Sequence, residues 1–262
     1  MEANEMYHAD VSRIGKSGLD LIAKAPAYYY AKYLDPNRDR EKQSKALDQG
    51  SAFHSIVLEG DKFQDEYVVA PLFKGKGSEA LKDEWIQKNF DKKILSMDDY
   101  NMVSRMRDAI FKHPLGHELL SVGVTEHRID WQDEATGALC KAKPDFFNTS
   151  SKLIIDLKST DDASESSFSH SSFKYRYHVQ APFYFDGAVH NGYNPQGFVF
   201  IAVEKEPPYL VNIFFADSLF MEFGRDVYRR DLETYLECRR SGIWPGYSSE
   251  IKPLQLPRWA IE

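Results

Sequence analysis

"PDFFNTSSKLIIDLK", residues 144–158, sets an aspartate and a lysine into a run that is otherwise apolar after its turn. "KLIIDLK" (152–158) has the β-rich, turn-bounded pattern of a strand, and "NTSS" (148–151) reads as the turn before it. Strand side chains alternate between faces, so Asp156 and Lys158, two apart, point the same way. A symmetrical four-residue loop at 148–151 sets 147 opposite 152 and 143 opposite 156. That register brings Asp145 onto the face of Asp156, one diagonal step away, while Leu153, Ile155 and Leu157 form the opposite, core-facing side. Carboxylates about 7 Å apart by that diagonal spacing can share a divalent cation through oxygen ligands. Lys158 stands beside them as a point charge able to hold a phosphate or orient water. A solvated Asp156–Lys158 pair is the plainer reading, and Asp145 arriving on the same face argues against it.

Working outward, "VTEHRIDWQD" (124–133) and "ALCKAKPDFFN" (138–148) read as two strands that make an antiparallel series with 152–158, with a turn at "EATG". A helical stretch follows over 163–190, then the strands "GFVFIAVE" (197–204) and "YLVNIFFA" (209–216), a helix over 217–241 and an irregular tail. Upstream, 17–33 reads as two short helices, the second started by Pro26. Residues 41–59 read as a helix ended by Gly60, and 78–90 as a polar helix. Ser96 with Asp99 resembles a capping box opening a helix that stops before Pro114. The expected fold is one α/β domain over 1–262, a mixed sheet flanked by helices. Its first part (1–120) is mainly helical, and 121–262 carries the sheet and the C-terminal helices.

Composition narrows the function classes. A chain of 262 residues with 42% hydrophobic residues can bury a substantial core. Its net charge of −7 argues against coating DNA by charge alone, but not against holding a few phosphates in a metal-bearing channel. No apolar run has the length of a membrane span, and no targeting series opens the chain, so a cytoplasmic protein without membrane contact is expected. The two cysteines, Cys140 and Cys238, fit neither a disulfide framework nor a zinc ribbon, and they cannot hold a four-cysteine iron–sulfur cluster.

Further candidates lie outside the hairpin. "GSAFHSIVLE" (50–59) places His54 on a helix with Gly50 one turn earlier, which would permit close approach to a neighbour. In "YRYHVQAPFYFDG" (175–187), Gln180 and Tyr184 are four apart and share a helix face. Glu126 faces the carboxylates if a four-residue loop at 133–136 sets it opposite Lys143, and turns away with a five-residue loop. "IGKSG" (14–18) fails as a P-loop because Asp10 stands where glycine is required. Ser17 then reads as an N-cap, although Lys16 and Ser17 at a helix start would also suit an anion. "FKYRYH" (173–178) interleaves aromatic and basic residues, Arg176 among them, a pattern compatible with stacking on single-stranded DNA or with ordinary packing.

P-D, ten residues, then D-x-K resembles the PD-(D/E)XK nuclease signature, with aspartate as the third acidic residue. Helix, hairpin and Q-x-x-x-Y helix follow the order of its RecB-type branch. "LDQGSAFHSIVLE" (47–59), "GALCKAKPDFF" (137–147), "IIDLKSTDDAS" (154–164), "YRYHVQAPFYFDG" and "LPRWA" (256–260) together resemble the catalytic domain of the RecE (exonuclease VIII) family. The resemblance implies a restriction-endonuclease-like core and a metal-dependent 5′→3′ exonuclease that digests linear duplex DNA and leaves 3′ overhangs for strand annealing. It implies one or two Mg²⁺ ions, with Mn²⁺ able to substitute, held by His54, Asp145, Asp156 and the Leu157 carbonyl. Lys158 would activate or orient the attacking water, Glu126 would help set up the metal, and Gln180 and Tyr184 would support the shell or position the strand. Lys16, Ser17 and Arg176 would meet the 5′-phosphate and DNA. A ring-shaped tetramer and a RecT-type single-strand annealing partner also follow from the resemblance. The rival readings are a Cas4-like or helicase-associated nuclease of other polarity, and an inactive DNA-binding module on the same fold.

Overall fold

The strand expected around Asp156 extends over Leu153–Thr160 and lies at the centre of the main sheet. The structure, a computed structural model, describes residues 6–38 (His8 apart), 45–75 and 78–256, with the side chains of 45–48 excepted. Of "LPRWA", only Leu256 falls within the described residues.

From Lys16 onward the elements are α1 (Lys16–Lys24) and α2 (Pro26–Tyr29), the latter continued by a π-helical turn over Tyr30–Leu34. Helices α3 (Lys45–Leu58) and α4 (Gly60–Glu66), strand β1 (Tyr67–Val69), helix α5 (Ser78–Lys88) and strand β2 (Lys93–Leu95) follow. Then come α6 (Met97–Lys112), α7 (Pro114–Leu119), β3 (Gly123–Thr125), β4 (Ile129–Gln132), β5 (Leu139–Ala142), β6 (Phe146–Asn148) and β7 (Leu153–Thr160). Helices α8 (Glu165–Lys174) and α9 (Tyr177–His190), strands β8 (Gly197–Glu204) and β9 (Val211–Phe215), and helix α10 (Ser218–Ser241) complete the series.

Local chemistry accounts for several boundaries. The Ser96 hydroxyl accepts from the Asp99 N–H (3.0 Å) and donates to the Asp99 carboxylate (2.6 Å), which satisfies an orphan donor at the start of α6. Asp217 caps α10 through the Phe220 N–H, and Gly242, at φ 72°, ends it in the left-handed conformation that glycine adopts without steric cost. One boundary differs from expectation: Gly60 does not merely end a helix; it opens α4. The stretch 163–190 is helical as expected and consists of two helices, broken at Tyr175–Arg176, where Arg176 has φ 58°. Strands β1 and β2, which pair in parallel, were not expected; each is only three residues long and shows little alternation.

The main sheet runs β3-β6-β7-β8-β9 and is mixed: β7 and β8 are parallel, joined through α8 and α9, and the other neighbours are antiparallel. Apolar residues cover both faces. Ile155, Leu157, Val199 and Ile201 pack with Phe53 and Ile56 of α3 and with Val103 and Met106 of α6. Ile154, Phe198 and Phe200 pack with Val179 and Phe183 of α9 and Leu232 of α10. Helix α10 comes close to α9 because Gly224 has no side chain; a Cβ there would lie 1.6 Å from the His178 carbonyl oxygen. Gly50 has no comparable role, since a Cβ there would meet open space, so the expected close approach at that position is corrected.

The expected register also shifts. β6 pairs with β7 as Phe146↔Ile155, Phe147↔Ile154 and Asn148↔Leu153, so the turn is at 149–152 and not at 148–151. Extended one step, this ladder sets Asp145 opposite Asp156 instead of diagonal to it. The two long strands expected before it are each broken, at Glu126 (φ 45°) and around Pro144, into β3–β6 and β4–β5. Both pieces keep one register, and the Glu126 N–H still donates to the Asp145 carbonyl. The loop is four residues as expected but lies at 134–137, closed by the Asp133 N–H on the Ala138 carbonyl.

Candidate active site

The site forms where the β6–β7 ladder stops. In its register, position 144 would face Leu157, and Pro144 has no N–H to offer. Leu157 is therefore served by side chains: its N–H donates to Asp145 Oδ2 (2.8 Å), and its carbonyl oxygen is 3.1 Å from His54 Nε2. His54 projects from α3, and its Nδ1 is 3.2 Å from Asp145 Oδ1. Asp156, on the same strand, pairs with the Lys158 ammonium and accepts from the Gln180 amide of α9. Gln180 in turn meets the Tyr184 hydroxyl. His54, Asp145, Asp156, Leu157, Lys158, Gln180 and Tyr184, all singled out from sequence, thus form one connected set drawn from α3, the hairpin and α9.

The site is buried, which rules out the plainer reading of a solvated pair: Asp156 is 1% exposed. Burial pushes the Asp156 carboxyl up to about 6, with the charge of Asp145 adding to it and Lys158 opposing. Burial acts upward on Asp145 too, but His54, Lys158 and the Leu157 N–H outweigh it and hold this carboxyl below its ordinary value. Burial alone would lower His54 and Lys158, yet the neighbouring carboxylates raise both. Among the described residues, no three His, Cys, Asp or Glu side chains are grouped as a metal shell. The donor atoms instead satisfy one another, as His54 with Asp145 and Lys158 with Asp156. Their chemistry suits a hard divalent cation: two carboxylates, one backbone carbonyl and one imidazole. His54, Asp145, Asp156 and the Leu157 carbonyl are the groups that could hold it.

Residues 15–257 match the family described as PDDEXK-like domain of unknown function (DUF3799). The chain belongs to this PDDEXK-like family. No protein of curated function matches the sequence. Among solved structures, a Eubacterium rectale chain provisionally named an exonuclease shares the fold (TM-score 0.69), with 14% identity over 100% of this chain and 97% of that one. A phage-related exonuclease from Haemophilus somnus 129PT aligns at 13% identity over 88% of this chain and 96% of that one, with a TM-score of 0.39.

Other expected residues lie around this PDDEXK-like centre in different ways. Lys16 begins α1 and donates to the Tyr175 carbonyl (2.8 Å) while pairing with Asp20 (2.8 Å). Its ammonium is 5.9 Å from the Tyr177 ring, and Lys158 is 4.5 Å from the same ring, which places Lys16 beside the site. Ser17 is not the N-cap; Gly15 is, and the Ser17 hydroxyl meets the Tyr33 hydroxyl at 3.3 Å. The Arg176 guanidinium is held by Asp20 and Asp231. Glu126 pairs with Lys143 at 2.6 Å.

Sequence reasoning assigned no role to two residues, one beside this cluster and one away from it. Tyr177 sets its ring 4.5 Å from the Lys158 ammonium; its position three before Gln180, on the same helix face, was the available signal. Lys141, buried on β5, donates to the carbonyls of Tyr7 and Asp10 and so fastens the N-terminal segment. No local pattern marks that role.

Proposed function

We propose that the chain is a metal-dependent exodeoxyribonuclease that digests linear double-stranded DNA from the 5′ end and leaves 3′ single-stranded overhangs for recombination by annealing. One observation carries the reading. Asp145 and His54 meet on Leu157, the residue between Asp156 and Lys158, and Gln180 meets Asp156, although these residues come from three separate parts of the chain. A buried cluster of two carboxylates, a lysine and a histidine is costly to a fold that does not use it, because each charge needs a partner to offset its desolvation. The complete residue set favours an active nuclease over an inactive binding module.

A divalent ion, Mg²⁺ with Mn²⁺ as substitute, would supply Lewis acidity at the scissile phosphate and a more acidic water. The chain's own groups do the rest. His54, Asp145, Asp156 and the Leu157 carbonyl would hold the ion. Lys158 orients the water and stabilises charge on the phosphate, while Gln180 and Tyr184 fix Asp156 in place. The polarity, the recombination role, a RecT-type partner and a closed ring of identical chains rest on the RecE resemblance. Such a ring would enclose DNA where a net charge of −7 gives no general attraction.

Polarity is tested by single-turnover digestion of matched duplexes labelled at either end and carrying a 5′-phosphate or a 5′-hydroxyl. Lys16, beside the site at a helix start, should favour the phosphate about tenfold, and Lys16→Ala should remove that preference. Release of the 3′ label first would overturn the polarity.

A further inference from the structure

The break between α8 and α9 carries an arrangement of rings that the catalytic reading leaves unused. Arg176 turns the chain there in the left-handed conformation (φ 58°), and its guanidinium is held by Asp20 of α1 and Asp231 of α10. The elbow is thereby tied to two other helices. From the core outward, the Phe200 ring of β8 stacks on Tyr177 (5.6 Å, 27°), and Tyr177 stacks on Tyr175 (6.0 Å, 28°). Phe200 is buried, whereas Tyr175 is 53% exposed.

Three lysines border this column. Lys158 Nζ is 4.5 Å from the centre of the Tyr177 ring, and Lys174 Nζ is 5.3 Å from that of Tyr175. Lys16 Nζ is 5.9 Å from the Tyr177 ring and bonded to the Tyr175 carbonyl. A half-exposed ring on a braced elbow contributes little burial to the fold. It does offer a flat apolar surface at fixed distance from the lysine of the catalytic cluster.

We propose that Tyr175 is a stacking platform for an unpaired nucleobase of the strand being cut, an inference that rests on the nuclease reading above. Every base has a π-face, so the platform accepts any sequence, and the neighbouring lysines meet the phosphates of the same strand. A base stacked on Tyr175 keeps its backbone close to Lys16 and Lys174 and directs the adjoining phosphodiester toward Lys158 and Asp156. The column accepts a base only once its face is free, so the ligand is the frayed end of a duplex or a single strand, not paired DNA. In a chain with net charge −7, a local grip of this kind replaces general attraction to DNA.

The test is binding of a short fluorescein-labelled oligodeoxyadenylate, and of an abasic strand of equal length, to the full chain in EDTA. Wild-type protein should prefer the strand with bases. Tyr175→Ala should weaken oligodeoxyadenylate binding about tenfold, the loss of about 1.4 kcal/mol of stacking, and leave abasic binding unchanged. Tyr175→Trp should restore the preference, and Tyr247→Ala, which removes an exposed ring elsewhere, should not alter it. Equal weakening on both strands, no weakening on either, or no preference in wild-type protein would overturn the platform. Because cleavage is not read, the two claims fail separately. A wild-type chain that digests DNA but ignores bases loses only the platform; one that prefers bases through Tyr175 but never cuts loses the nuclease and keeps only a ring that binds single strands.

Discussion

His54 Nδ1 and Asp145 Oδ1 stand 3.2 Å apart, joining a helix from the N-terminal part of the chain to the hairpin of the main sheet. The contact is held on both sides by Leu157, whose N–H goes to Asp145 and whose carbonyl meets His54. His54→Ala should lower affinity for Mn²⁺ by about 10- to 100-fold, the range seen when groups that support a metal site are removed. Calorimetric titration checks this. A histidine that only fills space would instead leave Mn²⁺ affinity intact and lower the melting temperature.

Asp156 gives the metal-free protein a pH dependence. Its carboxyl is pushed up to about 6 in the folded chain from an ordinary value of 3.8. Between about pH 4 and pH 6 the folded state holds a proton that the unfolded state has released, so this group makes stability fall as pH rises through that window. Asp156→Asn, fixed in the neutral form, should lack that fall and melt above wild-type at pH 7 while matching it near pH 4. Thermal melts in EDTA across this range measure it, and identical slopes for the two proteins would contradict the assignment. Metal affinity should run the other way in wild-type protein and rise through pH 6, because a ligand carboxyl must release its proton.

Lys158 competes with any cation for Asp156, since its ammonium already pairs with that carboxylate. Lys158→Ala should therefore cut turnover by about 100- to 1,000-fold, the usual effect of losing one group that stabilises transition-state charge, while Mn²⁺ binding is undiminished. Quench-flow and calorimetry separate the two effects. A variant that loses metal binding and turnover together would make Lys158 a structural support of the site.

Much of this site was legible because strand and helix periods project onto space without knowledge of the fold. Asp156 and Lys158 share a face at spacing two, Gln180 and Tyr184 at spacing four, and Asp145 reaches Asp156 across a short turn. The turn lies one residue later than the spacing suggests, yet parity is preserved, so Asp145 and Asp156 still fall at the same end of the hairpin. Burial was not legible. "IIDLK" by itself leaves a solvated face open; α9, from later in the sequence, packs over it and shields Asp156. The break at Arg176 also escaped, because the groups that hold its guanidinium, Asp20 and Asp231, lie on distant helices. The short β1–β2 pair has too few residues for any period to show.

The most direct test of the account is digestion of end-labelled linear duplex DNA beside its covalently closed circular form, with Mg²⁺ and with EDTA. The linear DNA should be lost progressively in Mg²⁺ while the closed circle survives, with no digestion in EDTA and none by Asp145→Asn under any of these conditions. Cleavage of the closed circle, undiminished digestion in EDTA, or full activity in Asp145→Asn would contradict it.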